Sequence, residues 1–153
     1  AERQPVARRT GQVISLPKGT GTMHITGLYA ALSALLIIVL ATRVILRRKS
    51  ERIGIGDGGD KVLAKRVRAH ANAAETLPIG LILLLVLEWN QTQLWILHLS
   101  GIALILGRVL HAYGLSGSSG PSQGRVIGMS LTLLVLLGMA LLLVWQYLVG
   151  FLI

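Results

Sequence analysis

Three groups of polar side chains stand inside otherwise apolar sequence. The first lies in Lys61-Val-Leu-Ala-Lys65-Arg66-Val-Arg68-Ala-His70-Ala-Asn72-Ala-Ala-Glu75-Thr-Leu-Pro78. At about 100° per residue, Lys61, Lys65, Arg68, Asn72 and Glu75 fall on one helix face, and His70 points away from it. The steps from Arg68 to Asn72 to Glu75 are i+4 and i+3, so these side chains stack along successive turns. The second group is Arg108 and His111, which share a face at i and i+3. The third is Arg125, close behind Ser122 at the start of the last apolar segment. Ser122 is a natural N-cap. A cation in the first turn opposes the helix dipole, whereas backbone N–H groups and a guanidinium at one end make an anion site. Cations dominate, with one acid and one amide among them. That pattern suits a small zwitterion with more carboxylates than amines.

Each group also has an ordinary structural explanation. Arg68 and Glu75 can pair and pin neighbouring helices. Arg108 can snorkel, and Arg125 can anchor topology by its charge. Tyr113 reads as an interface aromatic, Arg43 and Arg47 as anchors, and His98 as a satisfied packing residue. Glu75 resists dismissal most, because it directly precedes the lipid-grade run Ile79 to Leu87, where an acid costs several kcal/mol and faces an interior partner or a cavity.

The chemistry available is narrow. With no cysteine among 153 residues, disulfides, thiolate metal sites and a cysteine nucleophile are excluded. No His/Asp/Glu pair has metal-ligand spacing. No P-loop, G-x-S-x-G or Rossmann fingerprint is present. Any thiol must arrive with a ligand.

The elements that position these groups follow from composition. The chain is 53% hydrophobic and 14% charged, against about 25% charged for a soluble domain. A net charge of +9 would suit nucleic acid, but the basic residues cluster beside long apolar runs, so no nucleic-acid partner is expected. A membrane span needs about 20 apolar residues, and the chain holds four: about Ile25 to Leu46, Lys61 to Trp89, Gln93 to Tyr113 and Gly124 to Leu152. They are predicted as helices, which satisfy their own backbone in lipid. Asp60 is the expected cap of the second. The first connection, after Arg47-Arg48-Lys49, and the third, flanked by Arg108 and Arg125, are basic. The second, Asn90-Gln91-Thr92, has no Lys or Arg. The positive-inside rule therefore puts connections one and three in the cytoplasm and both termini on the other side. Residues 1–22 are polar and carry no apolar run. Met23 reads as a native start, and 1–22 as a disordered or non-native extension ahead of a single domain over 23–153.

The run Arg68-Ala-His-Ala-Asn72-Ala-Ala-Glu75-Thr-Leu-Pro78 resembles the R-A-x-x-N-x-x-E-x-x-P signature of the MAPEG family, the membrane-associated proteins in eicosanoid and glutathione metabolism. The Gly-Asp-Gly-Gly turn upstream and Gly107-Arg108-Val-Leu-His111-Ala-Tyr113 resemble its bacterial members, and the likeness covers about residues 23–153. What the resemblance implies is an all-α, four-transmembrane-helix bundle, assembled as a homotrimer in the bacterial inner membrane, with glutathione bound between subunits near the cytoplasmic face. Arg68, Asn72 and Glu75 would hold the peptide, with Glu75 on its α-amine. Arg108 and His111 would line the same cleft, and Arg125 would stabilise the thiolate. Ala71, Leu115 and Met129 depart from some eukaryotic members, which have an arginine at the first position and tyrosines at the other two.

A glutathione S-transferase or peroxidase acting on lipophilic electrophiles or hydroperoxides is the expected function. Glutathione would serve as thiol co-substrate, no side chain would be a nucleophile, and no metal is expected. A non-catalytic binding or scaffold protein of the same fold is the alternative, and a small four-helix exporter is the weakest.

Overall fold

A computed structural model describes residues 24–117 and 122–152; the extension predicted over 1–22 lies outside them. Four helices follow in chain order: α1 Ile25–Glu51, α2 Lys61–Trp89, α3 Leu94–Gly117 and α4 Gln123–Leu152. Among the described residues there is no strand. All four helices are long and apolar enough to cross a membrane, and the chain is an integral membrane protein.

The helix ends show local chemistry. Asp60 caps α2 as expected, accepting from the backbone N–H groups of Val62 at 2.7 Å and Leu63 at 3.3 Å. The Arg47 guanidinium also donates to Asp60 at 2.7 Å and holds its carboxyl below the usual carboxylate range. The turn before it carries positive φ at Gly56, Gly58 and Gly59, a region that glycine enters without Cβ strain. Helix α1 runs five residues past the predicted end at Leu46, through the basic cluster to Glu51. It stops where Arg52 turns left-handed at φ 54 and its N–H reaches back to Arg48 and Lys49. Likewise α3 continues beyond Tyr113 to Gly117. Apolar runs mark the lipid-facing length, while the helical backbone needs no lipid to continue.

The opposite end has a cap that crosses between helices. Both carboxylate oxygens of Glu88, near the end of α2, accept from the start of α1: Ile25 N–H at 2.7 Å and Thr26 N–H at 2.9 Å. An acid there satisfies orphan donors and complements the α1 dipole. Nearby, the Tyr29 hydroxyl donates to the His98 carbonyl at 3.1 Å, and the His98 ring Nδ1 lies 3.0 Å from the same phenol oxygen. The Asn90–Gln146–Thr92 chain, with both links at 2.9 Å, ties the second connection to α4.

Between these ends lie two buried apolar clusters. One joins Leu40, Ala69, Ala73, Leu77, Leu104, Ala112 and Leu115. The other joins Ile25, Tyr29, Leu84, Leu87, Leu97 and Met139. Helix α2 passes through Pro78 without a break. Its small residues Ala69 and Ala73 face the core, on the side away from Arg68. Glycines set the α3–α4 contact. A Cβ on Gly107 would meet Thr132 Oγ1 at 2.5 Å and Gly128 O at 3.0 Å; one on Gly124 would meet Leu110 O at 3.2 Å. The outward faces, such as Leu35 and Ile38 on α1 and Leu134 on α4, are apolar and exposed on the single chain, as lipid or a second subunit requires.

Candidate functional site

Helix α2 presents Arg68 and Glu75 on the exposed face of the subunit, with Asn72 half-buried between them. Glu75 is the fifteenth of 29 residues, so it stands at the middle of the span. Among the described residues neither Arg68 nor Glu75 has an ion-pair partner. The Arg68–Glu75 pair therefore does not form. Seven residues separate the two, about 10 Å along the axis, and both side chains point outward. The Asn72 amide donates to the Arg68 carbonyl at 2.8 Å, which holds its side chain along the helix and leaves its own oxygen as an acceptor. The Thr76 hydroxyl donates to the Asn72 carbonyl at 2.7 Å.

Arg108 and His111 do share a face, but that face is buried against α4. Arg108 is 1% exposed. Its Nε donates to Thr132 Oγ1 at 2.9 Å, and its Nη2 to Gly128 O at 3.2 Å and towards Met129 Sδ at 3.6 Å. No carboxylate pairs with it among the described residues. It is therefore not a snorkelling anchor, because its charge ends inside the helix pair instead of at the interface. His111, also buried, lies with Nδ1 3.2 Å from the Arg125 carbonyl. A carbonyl only accepts, so Nδ1 carries the proton and Nε2 of the neutral ring is an acceptor. Arg108 Nη1 and His111 Nε2 are buried with no hydrogen-bond partner among the described residues. Buried polar atoms are nearly always paired, so these two are groups that the single subunit leaves unsatisfied.

Arg125 sits half-buried in the first turn of α4. Ser122 accepts from the Arg125 N–H at 3.4 Å while its hydroxyl donates to Gly114 O at 2.8 Å. The predicted cap is thus present and also staples α4 to the end of α3. His111 and Ser122 together fix the backbone that carries Arg125.

The six candidate residues form two sets within one subunit. Arg108, His111 and Arg125 come together at the α3–α4 contact. Arg68, Asn72 and Glu75 lie along α2. An open hollow of about 360 Å³ is lined by Arg68 with Arg48 and Asp57, and takes in none of the other five. Two larger hollows, of about 710 and 620 Å³, lie at the opposite end, around Trp145 and Gln146 and around Glu88 and Trp89. Size alone therefore does not mark the polar chemistry.

Sequence reasoning missed Thr132, a lone hydroxyl in an apolar helix whose meaning depends on Arg108 lying across from it. It also underrated Arg43 and Arg47. Arg43 donates to Ser116 at 3.2 Å, and its carbonyl accepts from Arg66 at 2.8 Å. Arg47 pairs with Glu51 and Asp60, each at 2.7 Å. Both are cross-links among α1, α2 and α3 as much as interface charges. Of the departures, Leu115 is a core residue, and Met129 places its sulfur beside Arg108.

Comparison with known proteins adds an independent observation. The model of the MAPEG family matches residues 26–145. The chain is 39% identical over 121 residues to the Inner membrane protein YecN of Escherichia coli strain K12, covering 79% of this chain and 91% of that protein. The protein of the same name from E. coli O6:H1 strain CFT073 matches with the same figures.

Proposed function

We propose, from the premise that the chain belongs to the MAPEG family, that it is a glutathione-binding protein of the bacterial inner membrane that uses the bound thiol against lipophilic electrophiles or hydroperoxides. The observation that carries this reading is the Arg68–Asn72–Glu75 row: its two charged members are exposed on one subunit without an ion-pair partner among the described residues, and Glu75 stands at mid-span depth. Lipid does not satisfy such groups. A homotrimer with a zwitterionic tripeptide between its subunits does. Glu75 takes the α-amine, Arg68 a carboxylate and Asn72 a peptide N–H. Arg108 Nη1 and His111 Nε2 are the groups that α3 contributes. Arg125, held at the start of α4, favours the thiolate electrostatically. Glutathione itself is the nucleophile: its thiolate forms a thioether with an electrophilic carbon and expels the leaving group, or attacks a hydroperoxide oxygen, breaking the O–O bond to release the alcohol and a sulfenic acid that a second glutathione converts to the disulfide and water.

The test is ligand-linked stability in detergent. At glutathione about 100 times its dissociation constant, a native-state binder gains about 2.7 kcal/mol. Glu75→Gln keeps the shape and removes the charge, so it loses about 1.5 to 3 kcal/mol of binding, the worth of a charge-assisted hydrogen bond. Wild type that melts at the same temperature with and without glutathione refutes the reading. Binding without turnover on any electrophile or hydroperoxide leaves a scaffold. The observation that favours this second reading is that Met129 and Leu115 place no phenol beside Arg108 or His111.

Orientation is part of the proposal. The basic ends of α1 and α2 face the cytoplasm. In intact cells an impermeant thiol reagent is expected to label Gln91→Cys and to spare Gly58→Cys. The reverse pattern inverts the topology.

A further inference from the structure

Thr132 stands between Leu131 and Leu133 on α4 and is fully buried. Its single hydroxyl proton is already placed, because the hydroxyl donates to Gly128 O, one turn back, at 2.8 Å. Its oxygen therefore meets Arg108 only as an acceptor, and it takes the Nε–H at 2.9 Å. Gly128 O takes Nη2 of the same guanidinium at 3.2 Å. Nε and Nη2 form one edge of a rigid plane. Helix α4 holds that whole edge, and the plane cannot turn without losing both contacts. Nη1 lies off the edge, buried and without a partner among the described residues. The bond one turn back also fixes the Thr132 rotamer. Space for its oxygen comes from α3, where a Cβ on Gly107 would lie 2.5 Å from Thr132 Oγ1.

We infer that Thr132 is a positioning residue of the proposed glutathione site, acting on the ligand only through Arg108, whose guanidinium it holds so that Nη1 alone is left to donate. The inference rests on the glutathione reading, in which Arg108 Nη1 is one of the groups that α3 contributes. Without the Thr132 oxygen the buried Nε–H has no acceptor, and leaving such a donor unpaired is costly. The guanidinium then turns to find another acceptor, which takes Nη1 off its direction. With Thr132 in place, Arg108 meets the ligand preorganised.

The experiment is calorimetric titration of the intact protein in detergent with glutathione, beside thermal melting without ligand. The variants are Thr132→Val, Thr132→Ser, Arg108→Met and the double variant Arg108→Met with Thr132→Val. Valine keeps the shape and removes the acceptor, so glutathione affinity is expected to fall about tenfold, the lower end for a hydrogen bond to a charged group. Serine keeps the oxygen and removes a buried methyl. It is expected to melt below wild type and still bind glutathione nearly as tightly. In the Arg108→Met background the valine change is expected to leave affinity unaltered, because the residue it acts through is gone. Affinity that follows melting temperature across the variants makes Thr132 a packing residue and overturns the inference. A valine effect that persists without Arg108 overturns it as well. Wild type that binds while Thr132→Val binds equally tightly overturns it and leaves the glutathione reading standing. Wild type that does not bind glutathione removes that reading and this inference together.

Discussion

Gly128→Ala is expected to cost the subunit about 3 kcal/mol or more, while the same change at Gly138, ten residues along α4, is neutral or stabilising. A Cβ on Gly128 meets backbone on the facing helix: Gly107 O at 2.6 Å, His111 Cα at 2.9 Å and the His111 nitrogen closer still. No rotamer change relieves such a contact, so α3 and α4 must separate. Overpacking of this kind typically costs about 1 to 3 kcal/mol by itself. Separation adds to it, because Arg108 is bound to Gly128 O and Thr132 Oγ1 across the same seam. A buried guanidinium that loses its acceptors bears the full penalty of an uncompensated charge. Nothing lies within 4 Å of a Cβ on Gly138, so there alanine brings only its better helix propensity, up to about 1 kcal/mol. Unfolding of both variants in one detergent, followed by far-UV circular dichroism, checks this. Equal stabilities would show that the α3–α4 contact is looser than described.

The second large effect is on chemistry. Arg125→Ala is expected to cut turnover with glutathione by about 10²-fold, as loss of one preorganised charge at a reacting anion does, and to weaken glutathione binding by far less. The thiol of bound glutathione is expected to titrate towards the free-thiol value of about 8.5. Ser122 and His111 hold the Arg125 backbone from two sides, so the variant keeps its helix start and the loss reads on the guanidinium. Arg125→Lys keeps the charge without the planar fork and restores part of the rate. Thiolate absorbance of bound glutathione against pH, for wild type and both variants, is the measurement. If Arg125→Ala binds glutathione and its thiol titrates as in wild type, Arg125 is only a topology charge, and the proposed mechanism fails while the binding site stands.

Which features could be read from the chain alone depends on the range of the interactions behind them. Four helices, their approximate limits, the caps at Asp60 and Ser122 and the common face of Arg68, Asn72 and Glu75 all follow from neighbours within about four residues. Helical periodicity and the demand of lipid for self-satisfied backbone act at that range, and in a membrane they leave few alternatives. The positions of the helix ends were less legible, because a helix can outlast its apolar run. The destination of each charged side chain was a matter for tertiary structure. Arg108 and Arg125 look alike in sequence, as single arginines near helix ends, yet one is sealed between α3 and α4 and the other stays half-open. That difference arises from Gly107, Gly114, Gly124 and Gly128, which let two backbones approach closely enough to offer Gly128 O and Thr132 to Arg108. Glu88 reads as a stray acid at the end of α2 until the antiparallel packing of α1 brings the N–H groups of Ile25 and Thr26 to it. Local periodicity determines which side chains share a face. Only the packing of one helix on another decides whether that face meets a backbone, a neighbour or an open surface, because those partners lie tens of residues away along the chain.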